Sequence, residues 1–434
     1  MTENARASVD AYAFDASTTV DFASIVNSAM AFSIDDIERA RRGLAGIAKA
    51  TPLMRSATLD RMLAAEVYLK PENLQKTGSF KIRGAYNRIA ALSPAEATRG
   101  VVAASAGNHG QALAYAATRA GLKATIVMPT TATIAKVDAT RSYGQEVMLA
   151  GADYQAARRA AEELREHTGA ISVDAYDDAH VIAGQGTIGL EIADEITPDV
   201  VIVPVGGGGL IAGIATALAA RVPHCEIIGA EAAGSPQLSL SLANDTPTAV
   251  RQPVDTIADG LATGRIGQLP FDLIRGLVRR AITVDDFEIG EALLLMLERM
   301  KLLVEGAGAT ALAAALKLKA ELTGKCVVIC ISGGNIDINL LDRIIGYGLA
   351  KAGRLMRFAV DLHDRPGELQ KLLVLIGETG ANVRSIEHDR TRRDVPIGSA
   401  RVILELETRS AGHLDELRGR LLEHGYSIAR ESPV

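Results

Sequence analysis

Three separated segments of this chain carry residue types whose combination can do chemistry. Ser79-Phe80-Lys81-Ile82-Arg83-Gly84 sets a lysine directly after an aromatic. Ser105-Ala106-Gly107-Asn108-His109-Gly110 is a short polar run broken by glycine. Gly206-Gly207-Gly208-Gly209 runs on into Leu210. An amine forms a Schiff base with an aldehyde and, once free, takes a proton from carbon. Consecutive glycines before a helix offer backbone N–H groups to a phosphate. Together the segments form an inventory for holding pyridoxal phosphate (PLP) and acting at the Cα and Cβ of an amino acid.

Each segment has rival readings. Most lysines are surface residues, and Lys70, Lys76 and Lys136 compete with Lys81, but none has its tight Phe-Lys-Ile-Arg-Gly setting. The glycine run can instead be a nicotinamide-binding loop, although its spacing departs from the dinucleotide fingerprint. No Lys-Ser/Thr follows it, which disfavours a nucleoside-triphosphate loop, and a structural tight turn stays open. Asn108 can donate to a phenolate such as the cofactor's 3′-oxygen. Ser105 and nearby backbone N–H groups can hold a carboxylate, and His109 reads as an orienting or packing group. Ser332 opens Ser332-Gly333-Gly334-Asn335. Beside a pyridine nitrogen, a neutral serine leaves the ring unprotonated, which suits loss of a β leaving group over transamination. As plain structure, Ser332 is a turn or helix-cap residue.

The elements that must position these residues alternate. A helix is expected over 33–50, with Ser33 as N-cap, Asp36 three positions on, and Ile37, Ala40 and Leu44 at helical spacing. Short apolar strands are expected at 67–70, 100–104, 124–128, 146–149, 200–205, 226–231 and 326–331. Helices are expected between them at 80–90, 111–120, 134–143, 154–168 and 210–220. Such runs between amphipathic helices indicate an α/β fold with a mostly parallel sheet covered on both faces. The composition changes after about residue 349. Phe358, Val360 and Leu362 alternate, and the turn Asp364-Arg365-Pro366-Gly367 precedes a helix carrying Leu369, Leu372, Leu373 and Ile376. Strands at 383–388 and 401–407, a helix with Leu414, Leu417 and Leu421, and a last strand at 426–429 complete βαββαβ, the ferredoxin-like order. This unit has no cluster of nucleophile and base, so a binding or regulatory role is expected of it.

The 434 residues are 48% hydrophobic and carry a net charge of -6, which allows two or three domains with a large core. No basic stripe and no Trp favour a nucleic-acid partner. Of the three cysteines, Cys326 and Cys330 sit in or beside an apolar run, and Cys225 lies apart. Cys326 and Cys330 are expected to be reduced core residues, and no disulfide framework is expected. Residues 1–32 read as a loose tail without a signal-peptide pattern, and no apolar run is long enough to span a bilayer. A cytoplasmic protein with no membrane partner is expected.

On these motifs, with Ala183-Gly184-Gln185-Gly186-Thr187 added, the chain resembles the threonine ammonia-lyases (threonine dehydratases). These belong to the β-eliminating PLP enzymes that include serine racemase. The resemblance covers about 33–345, and 355–434 resemble an ACT domain through Asp364-Arg365-Pro366-Gly367-Glu368. It implies a fold-type II PLP enzyme, like tryptophan synthase β, with a C-terminal ferredoxin-like ACT domain. The catalytic body would span 33–349, with a large subdomain of about 33–70 and 175–349 and a small one of about 71–174. Lys81 would carry the cofactor and Phe80 pack on it. Asn108 would bond the 3′-oxygen, Gly206, Gly207, Gly208, Gly209 and Leu210 hold the phosphate, and Ser332 bond the ring nitrogen. Ser105, Gly107, Asn108 and His109 would take the substrate carboxylate. Glu305 matches an acid near the cofactor, although Glu305-Gly306-Ala307 departs from the usual Glu-Pro pair.

The implied reaction turns L-threonine into 2-oxobutanoate and ammonia, and L-serine into pyruvate. Racemases of the group have a second serine where this chain has Ala106, and alanine cannot move a proton, which favours elimination. Their divalent-ion site matches here at Glu231 and Ser235, but Gln237 replaces its last carboxylate. A monovalent cation, or no required metal, is therefore expected. The resemblance also implies a homotetramer or homodimer and a branched-chain amino-acid effector at the ACT domain. The alternatives are a dehydratase for another 3-hydroxy amino acid, such as serine or hydroxyaspartate, and a degenerate amino-acid sensor.

Overall fold

The structure, a computed structural model, describes residues 32–251, 254–391 and 394–429. The expected tail at 1–32 lies outside the described residues except for Phe32, which is buried in the same apolar cluster as Ile37. Ser33 and Asp36 form a reciprocal capping box at the start of the first helix, Ile34–Gly43. That helix stops well short of residue 50. Leu44 caps it, and Gly46, at φ +76°, then takes the chain out of helical geometry.

The chain divides into two compact units, residues 1–336 and 337–434. The helix Ile338–Lys351 thus goes with the C-terminal unit and not with the catalytic body, where the sequence reading put it. Strands of the first unit are β1 (Met54–Arg55), β2 (Glu66–Pro71), β3 (Val101–Ala104), β4 (Ala124–Met128), β5 (Glu146–Leu149), β6 (Ile171–Ser172), β7 (Val200–Pro204), β8 (Glu226–Ala232), β9 (Val278–Val284) and β10 (Cys326–Ile331). They form two sheets. The larger has the order β1-β2-β10-β7-β8-β9, and all its pairings are parallel except β1 with β2. The smaller is wholly parallel in the order β5-β4-β3-β6. Each sheet has its own apolar cluster, one centred on Val201, Val203, Ile211 and Ile214, the other on Ala103, Leu113 and Ile126. Because β10 and β7 are neighbours in register at Val327 and Val200, the loops after them, at 332–335 and 206–209, emerge side by side. In parallel sheets this carboxyl edge is where ligand sites form.

Three helices meet at glycines. Gly184 and Gly186 lie two residues apart on the helix Ala179–Glu195, which places them on opposite faces. A Cβ on Gly184 would sit 2.5 Å from Arg83 O in the helix Lys81–Ala90. One on Gly186 would sit 2.9 Å from Gly213 O in the helix Gly209–Arg221. The motif at 183–187 is therefore a thin spacer. It lets the helix that starts at the lysine and the helix that starts at the glycine run approach it on either side, backbone to backbone. Arg83 fixes the first of these helices further. Fully buried, it gives bonds to Glu72 at 2.8 Å and to Glu191 at 2.6 and 2.9 Å, and both acids hold its guanidinium above the ordinary range.

The second unit contains β11 (Leu355–His363), β12 (Asn382–Asp389), β13 (Ser399–Glu407) and β14 (Ile428–Ala429), with helices Glu368–Thr379 and Ala411–Glu423 between them. The sheet is antiparallel in the order β12-β13-β11-β14, the ferredoxin-like arrangement. Phe358, Val360 and Leu362 face Leu372, Ile376, Leu417 and Leu421 in a separate core. The three cysteines are unpaired; Cys330 is buried, while Cys225 and Cys326 keep partial exposure. Among the described residues no helix is long and apolar enough to cross a membrane.

Candidate active site

Lys81 is the first residue of its helix. The turn before it is stitched to the end of β10: Phe80 N donates to Ser332 O at 3.1 Å, and Ser79 bridges Gly333. Lys81 and buried Ser332 are brought together in this way. Lys81 Nζ donates to Ala175 O at 2.8 Å and lies 5.2 Å from the Phe80 ring centre. Burial pushes its pKa down to about 8, against the opposing pull of Asp174 and Glu305. An amine in that range keeps a usable neutral fraction, as a base requires. The rival lysines are engaged elsewhere. Lys70 is buried against Glu191 at 2.7 Å, Lys76 reaches Gly46 O at 3.0 Å, and Lys136 pairs with Asp259 at 2.8 Å.

Gly208, at φ +90°, turns the chain from β7 into a helix that starts with no side-chain cap. Its first N–H groups are thus available to an anion. A Cβ on Gly207 would overlap the Tyr176 ring, one on Gly208 would come 2.7 Å from Ile266, and one on Gly206 3.1 Å from Leu261. Leu210 follows, buried in the large core. Tyr176 and Leu261 were absent from the sequence reading, because loop residues far away in the chain carry no local pattern that assigns them to the run. Burial lifts the Tyr176 phenol to about 12, so it stays neutral.

The helix after β3 begins at Asn108, three residues earlier than its apolar pattern suggests. Ser105 Oγ accepts from Gly107 N at 3.3 Å and from Gly110 N at 3.1 Å, folding the loop onto the helix start. Asn108 Nδ2 donates to Glu305 Oε1 at 2.7 Å, and Asn108 Oδ1 accepts from Asn335 Nδ2 at 2.8 Å. Burial, with Asp259 nearby, raises the Glu305 carboxyl to about 7. His109 Nε2 donates to Val173 O at 2.9 Å, and burial and the neighbouring Lys81 lower its pKa to about 4. The ring is therefore neutral. Its buried Nδ1 has no partner among the described residues.

Glu231, at the end of β8, accepts from Leu238 N at 2.8 Å, Ser239 N at 3.0 Å and the Ser239 hydroxyl. Burial raises its pKa to about 7. Ser235 donates to Gln237, whose Nε2 donates to Leu261 O at 2.9 Å and Val205 O at 3.3 Å. Gln237 thus ties the strand end before the glycine run to the Leu261 that lines it. Among the described residues, no three or more His, Cys, Asp or Glu side chains are grouped to hold a metal ion.

The chain is similar to known proteins over most of its length. The family model described as "Pyridoxal-phosphate dependent enzyme" matches residues 45–333. An L-threonine ammonia-lyase of Thermotoga maritima is 47% identical over 398 residues, covering 91% of this chain and 98% of that protein. The processed form of threonine deaminase isoform 2 from Solanum lycopersicum superposes with a TM-score of 0.70 at 35% identity, covering 75% of this chain and 88% of that one. Maize serine racemase superposes with a TM-score of 0.69 at 36% identity, covering 74% and 99%.

Proposed function

The chain belongs to the pyridoxal-phosphate dependent enzymes, and from that premise we propose that it works as a threonine ammonia-lyase, converting L-threonine to 2-oxobutanoate and ammonia and L-serine to pyruvate. Its residues fit the cofactor. The uncapped helix behind Gly208 offers N–H groups to a phosphate, a Cβ at Gly207 would fill the cradle, and Lys81 supplies an amine beside it. When bound, PLP supplies the electron sink that makes a Cα proton removable and a β-hydroxyl able to leave.

The observation that carries this reading is Lys81 itself, an amine lowered to about 8 beside both Ser332 and the 174–176 segment. Lys81 holds the cofactor and its Nζ takes the Cα proton. Phe80 packs beside it. Gly206 to Gly209 and Leu210 would hold the phosphate, Asn108 would donate to the 3′-oxygen, and Ser332 would bond the ring nitrogen as a neutral partner. Ser105, Gly107, Asn108 and His109, at the start of a helix, hold the substrate carboxylate. Ala106 in that loop has no proton to move, which supports elimination over racemisation. Glu305 keeps Asn108 in place. At Glu231 and Ser235 a monovalent cation at most is needed, since Glu231 already takes two backbone donors and a hydroxyl.

The C-terminal unit is read as an ACT domain that binds a branched-chain amino acid, in a homodimer or homotetramer. Its βαββαβ order supports the domain assignment, and the 398-residue Thermotoga maritima match is too long to lie within residues 1–336 alone. The test is 2-oxobutanoate release from L-threonine by purified, PLP-loaded protein. We expect release that falls by roughly 10³-fold or more in Lys81→Ala. Well-folded, PLP-binding protein that releases none would move the substrate to another β-hydroxy amino acid.

A further inference from the structure

Asn335 lies in the loop after β10, and its side chain has a hydrogen-bond pattern with only one solution. Nδ2 donates to Thr77 O at 2.8 Å and to Asn108 Oδ1 at 2.8 Å. A backbone carbonyl can only accept, so the nitrogen of Asn335, and not its oxygen, faces Thr77. Both amide hydrogens are then used. Asn108 must present its oxygen to Asn335, which leaves its nitrogen toward Glu305 Oε1 at 2.7 Å. The loop closes on itself, because Glu305 N donates to Gly333 O at 3.1 Å.

Glu305 alone does not fix the orientation of Asn108. A carboxyl with a pKa of about 7 is protonated part of the time and then donates as well as accepts. The Thr77 carbonyl has no such ambiguity. Gly78 makes the arrangement possible: it sits at φ +72°, and a Cβ there would overlap Asn335 Oδ1. Gly334 N donates to Gly78 O at 2.9 Å and holds the two loops together.

We propose that Asn335 is a positioning residue that locks the Asn108 amide with its nitrogen, and so its second hydrogen, available to the cofactor's 3′-oxygen. This rests on the reading of Asn108 given above. With the amide reversed, a carbonyl oxygen would oppose a phenolate. The anionic form of that oxygen would lose a donor, and the proton it shares would be harder to remove.

The test titrates the visible absorption of PLP-loaded protein with pH and follows threonine turnover in the same samples. Asn335→Asp keeps the shape but, when ionised, offers only acceptors, so it drives Asn108 to reverse. We expect its spectral midpoint to rise by about one pH unit and kcat to fall roughly tenfold to a hundredfold, with KM less affected. Asn335→Ala should shift the midpoint in the same direction by less. In an Asn108→Ala background, Asn335→Asp should add no further shift, because the two residues act as one.

An unchanged midpoint in Asn335→Asp, or a shift that persists in the Asn108→Ala background, overturns the proposal. If Asn335→Asp does not fold, Asn335→Ala decides by the same criterion. Asn108→Ala alone tests the underlying reading. An unchanged midpoint there means that Asn108 does not face the 3′-oxygen, and the proposal falls for that reason whatever Asn335 does.

Discussion

Burial draws two groups of opposite kind together in proton affinity, lifting Glu305 to about 7 and lowering Lys81 to about 8. For Glu305 this has a consequence for stability. The unfolded chain ionises it near the ordinary 4.5, while the folded chain keeps the proton up to about 7. The native state binds that proton more tightly, so the stabilisation is complete below pH 4.5 and disappears as pH rises to about 7. The loss amounts to at most about 3 kcal/mol. Glu305→Gln cannot ionise. Its melting temperature should match the parent near pH 5 and exceed it by a few degrees near pH 8. A difference that stays constant across that range would assign the titration to another group. At this scale the candidate site was legible where chemistry dictates residue type, as at Lys81 and the glycine run, which the structure places against the same 175–176 segment. The sequence was silent on Tyr176, and it named Gln237 and Asn335 only as members of motifs, without the contacts they make. Their roles are contacts with residues far along the chain, and nothing in their neighbours' spacing encodes those partners.

The helices at 81–90, 179–195 and 209–221 show what a motif without reactive groups does. Gly184 and Gly186 were visible as part of a recognisable string, but their opposite faces only mean something once two other helices lie against them. Gly184→Ala would put a methyl 2.5 Å from Arg83 O, against the backbone of Arg83 and Gly84 and with no flexible side chain among its nearest atoms to yield. We expect a loss of about 1–3 kcal/mol in urea unfolding, together with weaker PLP retention, because Lys81 heads the displaced helix. Gly43→Ala is the control. It meets nothing within 4 Å, so it should be neutral or stabilising by up to about 1 kcal/mol. Equal costs at both sites would show that helix approach is not what the motif provides. Periodicity found most elements but misplaced some ends. The helix at Asn108 starts before its apolar pattern does, because the polar residues of its first turn serve the site. The first helix stops at Gly43 although apolar spacing continues through Leu44.

The whole molecule consists of two units with separate apolar cores. Heating should therefore give two calorimetric transitions rather than one. Added PLP should raise only the transition of the larger unit, which contains Lys81 and the glycine run. A single transition raised as a whole by PLP would mean that the units unfold together. The segment from Asn335 to Asp337 is short. Asn335, which holds Asn108, is followed by Ile336 and then by Asp337, which caps the first helix of the second unit through Asn339 N at 2.8 Å. Ile336 N is itself tied back to Gly334 O at 2.9 Å. Two residues of chain extend no more than about 7 Å. The residue that bonds Asn108 therefore lies within two residues of the next helix cap, and an insertion between them would lengthen the chain directly beside a residue that holds the site.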